Sequence, residues 1–301
     1  MRSSTRLLLF GENQFIGDRL FSKTIAVYAF RKVYSHYFGF AIQVRRSSDN
    51  ALRDIGFTPN GDLDVAALLD FVGAGNNGDV MIIYDGSGNG YHQIQENPFR
   101  IVSSGALVTV NGRPALDSLG TASMSAVTPV TSRSEFTFAT VAKYTTQTIW
   151  SPICGIKDDQ IATAGGNPFL QHLGVPAESN ALCSHNSGVS SSPGTFVSVT
   201  TSNFLAQRCA YLSRAGGNAN GLGGILRLKL SDVAAAATVT QAFNVTQLSS
   251  TFRIGGRMQG TVVTPFDGLF QEAWLFRSAL PLSDEVMLMA NQGSYYGITV
   301  V

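Results

Sequence analysis

Nine residues hold the chain's densest run of polar chemistry: Tyr84-Asp85-Gly86-Ser87-Gly88-Asn89-Gly90-Tyr91-His92. A carboxylate, a hydroxyl, an amide and an imidazole stand among three glycines. Glycine lets a chain turn sharply and brings backbone amides close to whatever the loop touches. Asp85, Asn89 and His92 are the candidate binding residues. Asp85 has a second available role, accepting hydrogen bonds from loop amides such as those of Ser87 and Gly88. The segment is not a phosphate loop, because it lacks the G-K-[ST] ending and a following helix. Gly-x-Gly spacing alone does not specify a dinucleotide site.

Other chemistries find less in the sequence. Cys154, Cys183 and Cys209 form no C-x-x-C pair, and an odd number of cysteines cannot close completely into disulfides. They read as reduced, mostly buried thiols. A zinc site drawing on His172 or His185 would need irregular spacing, and there is no D-x-D-x-D run for calcium. No metal or cofactor is expected. Lys plus Arg is 21 and Asp plus Glu is 20, a net charge of +1, which gives no global electrostatic case for nucleic acid. Arg45-Arg46 is too short a cluster to change that.

The elements that must position these groups read mainly as strands. Only 14% of residues are charged and 31 are glycine, a composition of turns and short strands. Residues 1–23 read as an arm with an apolar patch, Leu7 to Phe10, that docks onto a partner. The run is too short for the roughly 7-residue core of a signal peptide. No run approaches the ~18–20 residues of a membrane span. Three- and four-residue spacing of Ile25, Tyr28, Ala29, Lys32 and Val33 predicts a helix over 24–38. Ala41 to Arg46 alternates as a strand, Asp62 caps a helix reaching Val72 and ending at Gly73, and Val80 to Ile83 is a buried strand. Beyond Gly90, strands are expected over 106–110, 136–144, 195–200, 206–212, 226–230 and 270–276. Turn signals such as Asn111-Gly112 and Gly216-Gly217-Asn218 separate them. Residues 184–194 read as an exposed loop, and Ser283 caps a short helix over Val286 to Asn291. Many short strands without intervening helices argue for a jelly-roll β-sandwich. The expected division is an arm, 1–23, and one sandwich domain, 24–301, with a helix-containing part, 24–95, and the main sandwich, 96–301.

Several segments together resemble a known family. They are Ala26 to Lys32 with Ile42 to Asn50; Asp54-Ile55-Gly56-Phe57 with Gly61 to Asp64 and Phe71-Val72-Gly73; and the Tyr84–His92 loop. Their order is similar to the catalytic domain of fungal α-L-arabinofuranosidase B and its relatives in bacteriophage and bacterial genomes. Phe252 to Gly256, Phe266 to Phe276 and Asn291 to Tyr296 are similar to the closing strands of laminin-G-like domains. The resemblance covers about residues 25–299, is vague between 100 and 245, and implies a concanavalin-A-like (laminin-G-like) jelly roll with a few short helices. It also implies a glycan as the ligand of Asp85, Asn89 and His92.

A retaining glycosidase needs two carboxyl groups about 5–5.5 Å apart. The resemblance implies an acid/base aspartate directly after the late Gly-Gly, where this chain has Gly255-Gly256-Arg257. A guanidinium cannot cycle as an acid/base near neutral pH. The next carboxylate, Asp267, precedes Gly268 at a turn and reads as a turn hydrogen-bonder. Glu178 lies in a Pro-Ala-Glu-Ser-Asn stretch that reads as an exposed loop. Glu272 reads as an outward polar position or the partner of an arginine. Gly86 and Tyr91 replace a glutamine and an asparagine that the family loop usually carries.

These departures lead to an expectation that leans against an enzyme. It is a non-catalytic bacteriophage virion protein (decoration, tail or fibre) with a lectin-like domain for host-surface glycan, located in the virion and made in the host cytoplasm without a signal peptide. Its arm would bind other virion proteins, with homo-oligomers, trimers by analogy, and neither nucleic acid nor membrane insertion. The alternative is a glycoside hydrolase of α-L-arabinofuranosidase type.

Overall fold

A computed structural model describes residues 15–128, 135–146, 151–157, 171–174, 181–186, 195–201, 203–218, 223–240, 251–259 and 262–301. The expected helix over 24–38 is instead a strand followed by irregular chain. β1, Thr24–Ala29, is buried at every position. Ala26 and Tyr28 face one hydrophobic cluster, while Val27 and Ala29 face another. A strand covered on both faces loses the polar half of its alternation, so its apolar residues no longer distinguish period 2 from helical spacing.

The remaining principal strands are β2 (Ile42–Arg46), β3 (Leu52–Ile55), β4 (Gly78–Ile83), β5 (Gln93–Ser103), β6 (Ser123–Val127), β7 (Phe136–Tyr144), β8 (Cys154–Lys157), β9 (Arg208–Ala215), β10 (Ile225–Leu230), β11 (Ala237–Thr240), β12 (Thr251–Ile254) and β13 (Gly268–Phe276). They belong to one 15-stranded sheet whose path runs β8-β12-β6-β5, through the short strand Leu116–Asp117, to β13-β7-β9-β10-β11. β1 adds to β13, and β4, β2 and β3 extend from β5. All of these pairings are antiparallel. β5 joins the halves: Ile94, Gln95 and Asn97 pair with β6, and Arg100 beyond Pro98 pairs with Asp117. The halves fold face to face, so Phe252 of β12 packs on Tyr28 of β1 and Phe138 of β7, at 6.0 and 5.5 Å between ring centroids. The molecule is thus a mainly β sandwich with few short helices.

A second cluster lies on the outer face of β1, β13, β7 and β9, around Trp274, Phe276, Tyr211 and Cys209. Two helices cover it. α1, Ile16–Leu20, buries Ile16 and Leu20 there, so residues of the expected arm from 16 onward pack on their own domain; residues 1–14 lie outside the described set. Between them in sequence, α2 (Val65–Val72) is capped by Asp64, which accepts from Ala67 N at 3.0 Å. Asp62, the expected cap, instead accepts from Arg113 and from the Tyr295 hydroxyl. α3, Leu282–Tyr296, is longer than expected and is not capped by Ser283: Pro281 holds its N-cap position. Asp284 and Glu285 suit its first turn, and Gly297, at φ 66°, ends it in the left-handed conformation that favours glycine. Among the described residues no helix is long and apolar enough to cross a membrane.

The sheet and α3 meet at a buried ion pair. Opposite β7, Val141 pairs with Glu272 and Ala142 with Phe270, leaving Gln271 as a bulge. The bulge keeps Phe270 and Ala273 facing the inner cluster while Glu272 and Trp274 face α3. Glu272, fully buried, is the partner of an arginine, not an outward position. Arg31 donates to it from Nε at 2.8 Å and Nη2 at 3.2 Å. Trp274 Nε1 (2.6 Å), Gln292 Nε2 (2.9 Å) and the Tyr296 hydroxyl (2.9 Å) also donate to it. Burial alone would raise the Glu272 pKa, but the Arg31 charge and these donors outweigh it and hold the carboxyl below its usual range.

Replacing Glu272 by Gln leaves Arg31 buried without its counter-charge and is expected to cost about 3–5 kcal/mol in urea unfolding. Because the native carboxyl is held low, the pair's stabilisation is present above the unfolded carboxylate pKa and is lost as pH falls. In Glu272→Gln this acid-side loss is diminished; an unchanged acid limb in the variant would count against the pair.

Candidate functional site

The glycine-rich loop leaves β4 and folds back against β1. Asp85 is fully buried. Its Oδ1 accepts from Val27 N (3.0 Å), Ser87 N (2.9 Å) and Ser87 Oγ (2.7 Å), and its Oδ2 from Tyr91 N (3.2 Å). Of the two roles open to it, the geometry is that of a staple: the carboxylate ties the loop closed and binds it to β1. Gly88 and Gly90 take φ of 82° and 84°, which side chains disfavour, so the glycines serve the loop's own turn. Asn89 is exposed and donates Nδ2 to Ile25 O at 2.9 Å. His92 is half-buried, and its Nδ1 accepts from Asp85 N at 3.0 Å, which leaves Nε2 as the ring's other polar atom. The sequence thus grouped three neighbours, of which Asn89 and His92 retain surface.

Beside His92 the surface is aromatic. The Tyr84 ring stands edge-on to His92 at 5.0 Å and lies 6.0 Å from Phe40. The Tyr84 hydroxyl donates to Asp54 Oδ1 at 2.7 Å, as does Gln43 Nε2 at 3.1 Å. Burial, then the hydrogen bond and charge of Asp54, push Tyr84 up to about 12. Sequence reading overlooked this Tyr84–Asp54–Gln43 group. All three lie in the segments that carry the resemblance, but their meeting depends on the pairing of Gln43 with Asp54 between β2 and β3, which no local pattern shows.

The carboxylates weighed for acid/base work are widely separated in role. Glu272 is enclosed behind the sheet, spent on Arg31. Asp267 is half-buried where β13 begins beside the end of β7, and the hydroxyls of Thr145 (2.8 Å) and Thr146 donate to it. Its own amide donates to Ser151 Oγ at 2.9 Å, and Thr145 N to its carbonyl at 3.2 Å. Glu178 lies outside the described residues. Arg257 sits in a two-stranded hairpin, Gly256–Gln259 with Val262–Pro265, opposite Thr264. Gly255, before it, has φ 84°, and a Cβ there would come within 2.2 Å of the Phe99 ring and 2.7 Å of Ala122 O. A Cβ at Gly268 would lie 2.3 Å from Lys143 O. Both glycines of the late signature are thus required by backbone packing. Among the described residues, no group of three or more His, Cys, Asp or Glu is placed to hold a metal. Cys154 and Cys209 are buried free thiols, pushed up by burial.

The sequence model of the family described as "Alpha-L-arabinofuranosidase B, catalytic" matches residues 23–145, less than half of the chain. No curated protein matches. Among solved structures, the chain is similar to a mutant of GH54 α-L-arabinofuranosidase soaked with 4-nitrophenyl α-L-arabinofuranoside. The TM-score is 0.69 and the identity 18%, over 96% of this chain and 66% of that one. A GH54 α-L-arabinofuranosidase soaked with a cyclic sulfate inhibitor gives 0.64 at 18% identity over the same shares. An arabinofuranosidase complexed with arabinofuranosyl-α-1,2-xylobiose gives 0.63 at 17% identity, over 93% of this chain and 64% of that one. The chain therefore spans just under two thirds of the length of these solved chains, and at such identities the likeness is one of fold.

These findings overturn the expectation of a non-catalytic bacteriophage virion or tail-fibre protein, since the matched family is an arabinofuranosidase catalytic domain and the similar solved structures named above are arabinofuranosidases. That expectation rested on the phage-like resemblance, on Arg257 in place of the acid/base, on the absence of a recognisable signal peptide and on an apolar arm, whose residues Ile16 and Leu20 pack on their own domain. None of these is an observation of lost activity.

Replacing Asp85 by Ala strands the amides of Val27, Ser87 and Tyr91 at once. The expected loss is about 3 kcal/mol in urea unfolding. Wild-type stability in this variant would show that the loop holds without its staple.

Proposed function

We propose that the chain is a glycoside hydrolase domain of α-L-arabinofuranosidase type, removing arabinofuranosyl units from a polysaccharide. The observation that carries this reading is the family match over 23–145, which includes the stapled loop, the Tyr84–Asp54–Gln43 group and the strands that hold them. The fold likeness over nearly the whole chain supports it, although fold alone does not give function. In a retaining mechanism one carboxylate attacks the anomeric carbon while another protonates the leaving oxygen, then activates water. Arg257 stands where the resemblance implies the acid/base, so the pair must be completed elsewhere. Asp267, half-buried and oriented by two threonine hydroxyls, is the nearest later carboxylate, and Glu178, the one glutamate in the sequence between Glu135 and Glu272, is the candidate to complete the pair.

Incubation with 4-nitrophenyl α-L-arabinofuranoside is expected to release nitrophenol. Asp267→Asn and Glu178→Gln are each expected to lower kcat/KM by about 10²–10⁴-fold, the usual worth of acid/base assistance. No release from this substrate, nor of arabinose from arabinoxylan, would sink the hydrolase reading. Full activity in both variants would sink this assignment of the pair.

A further inference from the structure

The turn after β1 builds a cleft that the loop chemistry does not use. Phe38 is 88% exposed and Phe40 49% exposed, on a molecule that buries most of its large apolar groups. Both line a cleft of about 310 Å³ with Phe15, Lys32, Tyr37 and Phe57, a size typical of small-ligand sites. Exposed aromatic surface of this kind marks a binding face. The turn is held in shape. The Tyr37 hydroxyl donates to Phe40 O at 2.8 Å, and its ring packs edge-on against Phe57 at 6.3 Å. Gly39 permits this, since a Cβ there would come within 2.5 Å of the Tyr37 hydroxyl. Tyr37 is thus fixed beneath two phenylalanines that face solvent.

The second observation is a cation in the aromatic wall. Lys32 Nζ stands 4.5 Å from the Phe38 ring centroid and 5.5 Å from that of Phe15. Lys23, Arg31, Arg46, Arg100, Arg208 and Arg227 each meet a carboxylate. Among the described residues Lys32 meets none. Its ammonium is attracted by the ring faces, and among the described residues no carboxylate lies within ion-pair distance of it. A ligand fitting this wall presents an apolar C–H face to Phe38 and Phe40 and a carboxylate to Lys32.

We infer that the cleft binds an acidic saccharide, seating a hexuronic acid unit with its ring on Phe38 and Phe40 and its carboxylate on Lys32. The choice of a saccharide rests on the carbohydrate-active reading above; the choice of an acidic one rests on Lys32. It deepens that reading by naming the substrate class: arabinose-bearing polysaccharide that also carries uronic acid.

Titration calorimetry of the full chain with glucuronosyl-xylotriose and with xylotriose tests this. The acidic ligand is expected to bind at least about tenfold more tightly, roughly 1.4 kcal/mol. Lys32→Gln should abolish that preference, and Phe38→Ala should weaken both ligands about tenfold. Both variants should keep the wild-type melting temperature. Equal wild-type affinities, no binding of either ligand, or a preference that survives Lys32→Gln would overturn the inference. Hydrolysis of the small aryl arabinofuranoside is scored separately. If the chain binds the acidic ligand as expected but hydrolyses nothing, only the hydrolase reading falls; if it hydrolyses but shows no preference, only this inference falls.

Discussion

The ion pair of Arg31 with Glu272 is the constraint around which the rest is arranged. A carboxylate buried between a sheet and a helix is tolerable only with its charge matched and its lone pairs filled. Meeting that condition uses the chain just after β1, two positions of β13 and two of α3. The same guanidinium reaches Asn291 Oδ1 at 2.7 Å and lies 4.6 Å from the Tyr295 ring centroid. α3 therefore cannot slide along the outer face without breaking polar contacts as well as apolar ones. The bulge at Gln271 is what makes the arrangement compatible with a filled sandwich, because it turns Glu272 toward α3 without turning Phe270 out of the core.

From this anchor the loop is placed indirectly. β1 is fixed on one side by β13 and on the other by the loop, whose Asp85 accepts from the Val27 amide. The loop and the ion pair thus grip the same strand from opposite ends of the packing. Groups that retain surface, Asn89, His92 and the aromatic turn at 37–40, are carried on this rigid base.

What the sequence made legible follows from how local each signal is. Phe136–Tyr144 and Thr195–Thr200 have the expected bounds; both are dense in β-branched and aromatic residues. β5 was missed because Asn97-Pro98 reads as a break, whereas the proline sits where the strand passes from one half of the sandwich to the other. β6, Ser-Met-Ser-Ala-Val, is small and polar enough to look like loop, and its strand character comes from its neighbours, whereas β12 was expected through the resemblance of Phe252 to Gly256 to closing strands. Residues 184–186, expected in a loop, belong to the strand Ala181–Asn186, and 187–194 lie outside the described residues. At the candidate site, the staple role of Asp85 was open to reading because its partners lie mostly within six residues. The partner of Glu272 was not, since it stands 241 positions away.

Gly255 and Gly268 have a consequence for how such chains are sorted. Each sits where another part of the backbone or a core ring occupies the space of a side chain, irrespective of any reaction. A pattern built on these glycines selects for a way of closing a sandwich, independently of the chemistry carried on it. The residue following Gly255-Gly256 stands on a hairpin held at its root by that close approach, so its identity can change without disturbing the closure. In such a scaffold architecture and chemistry are inherited separately, and a matching outline leaves the reaction to be read from the side chains.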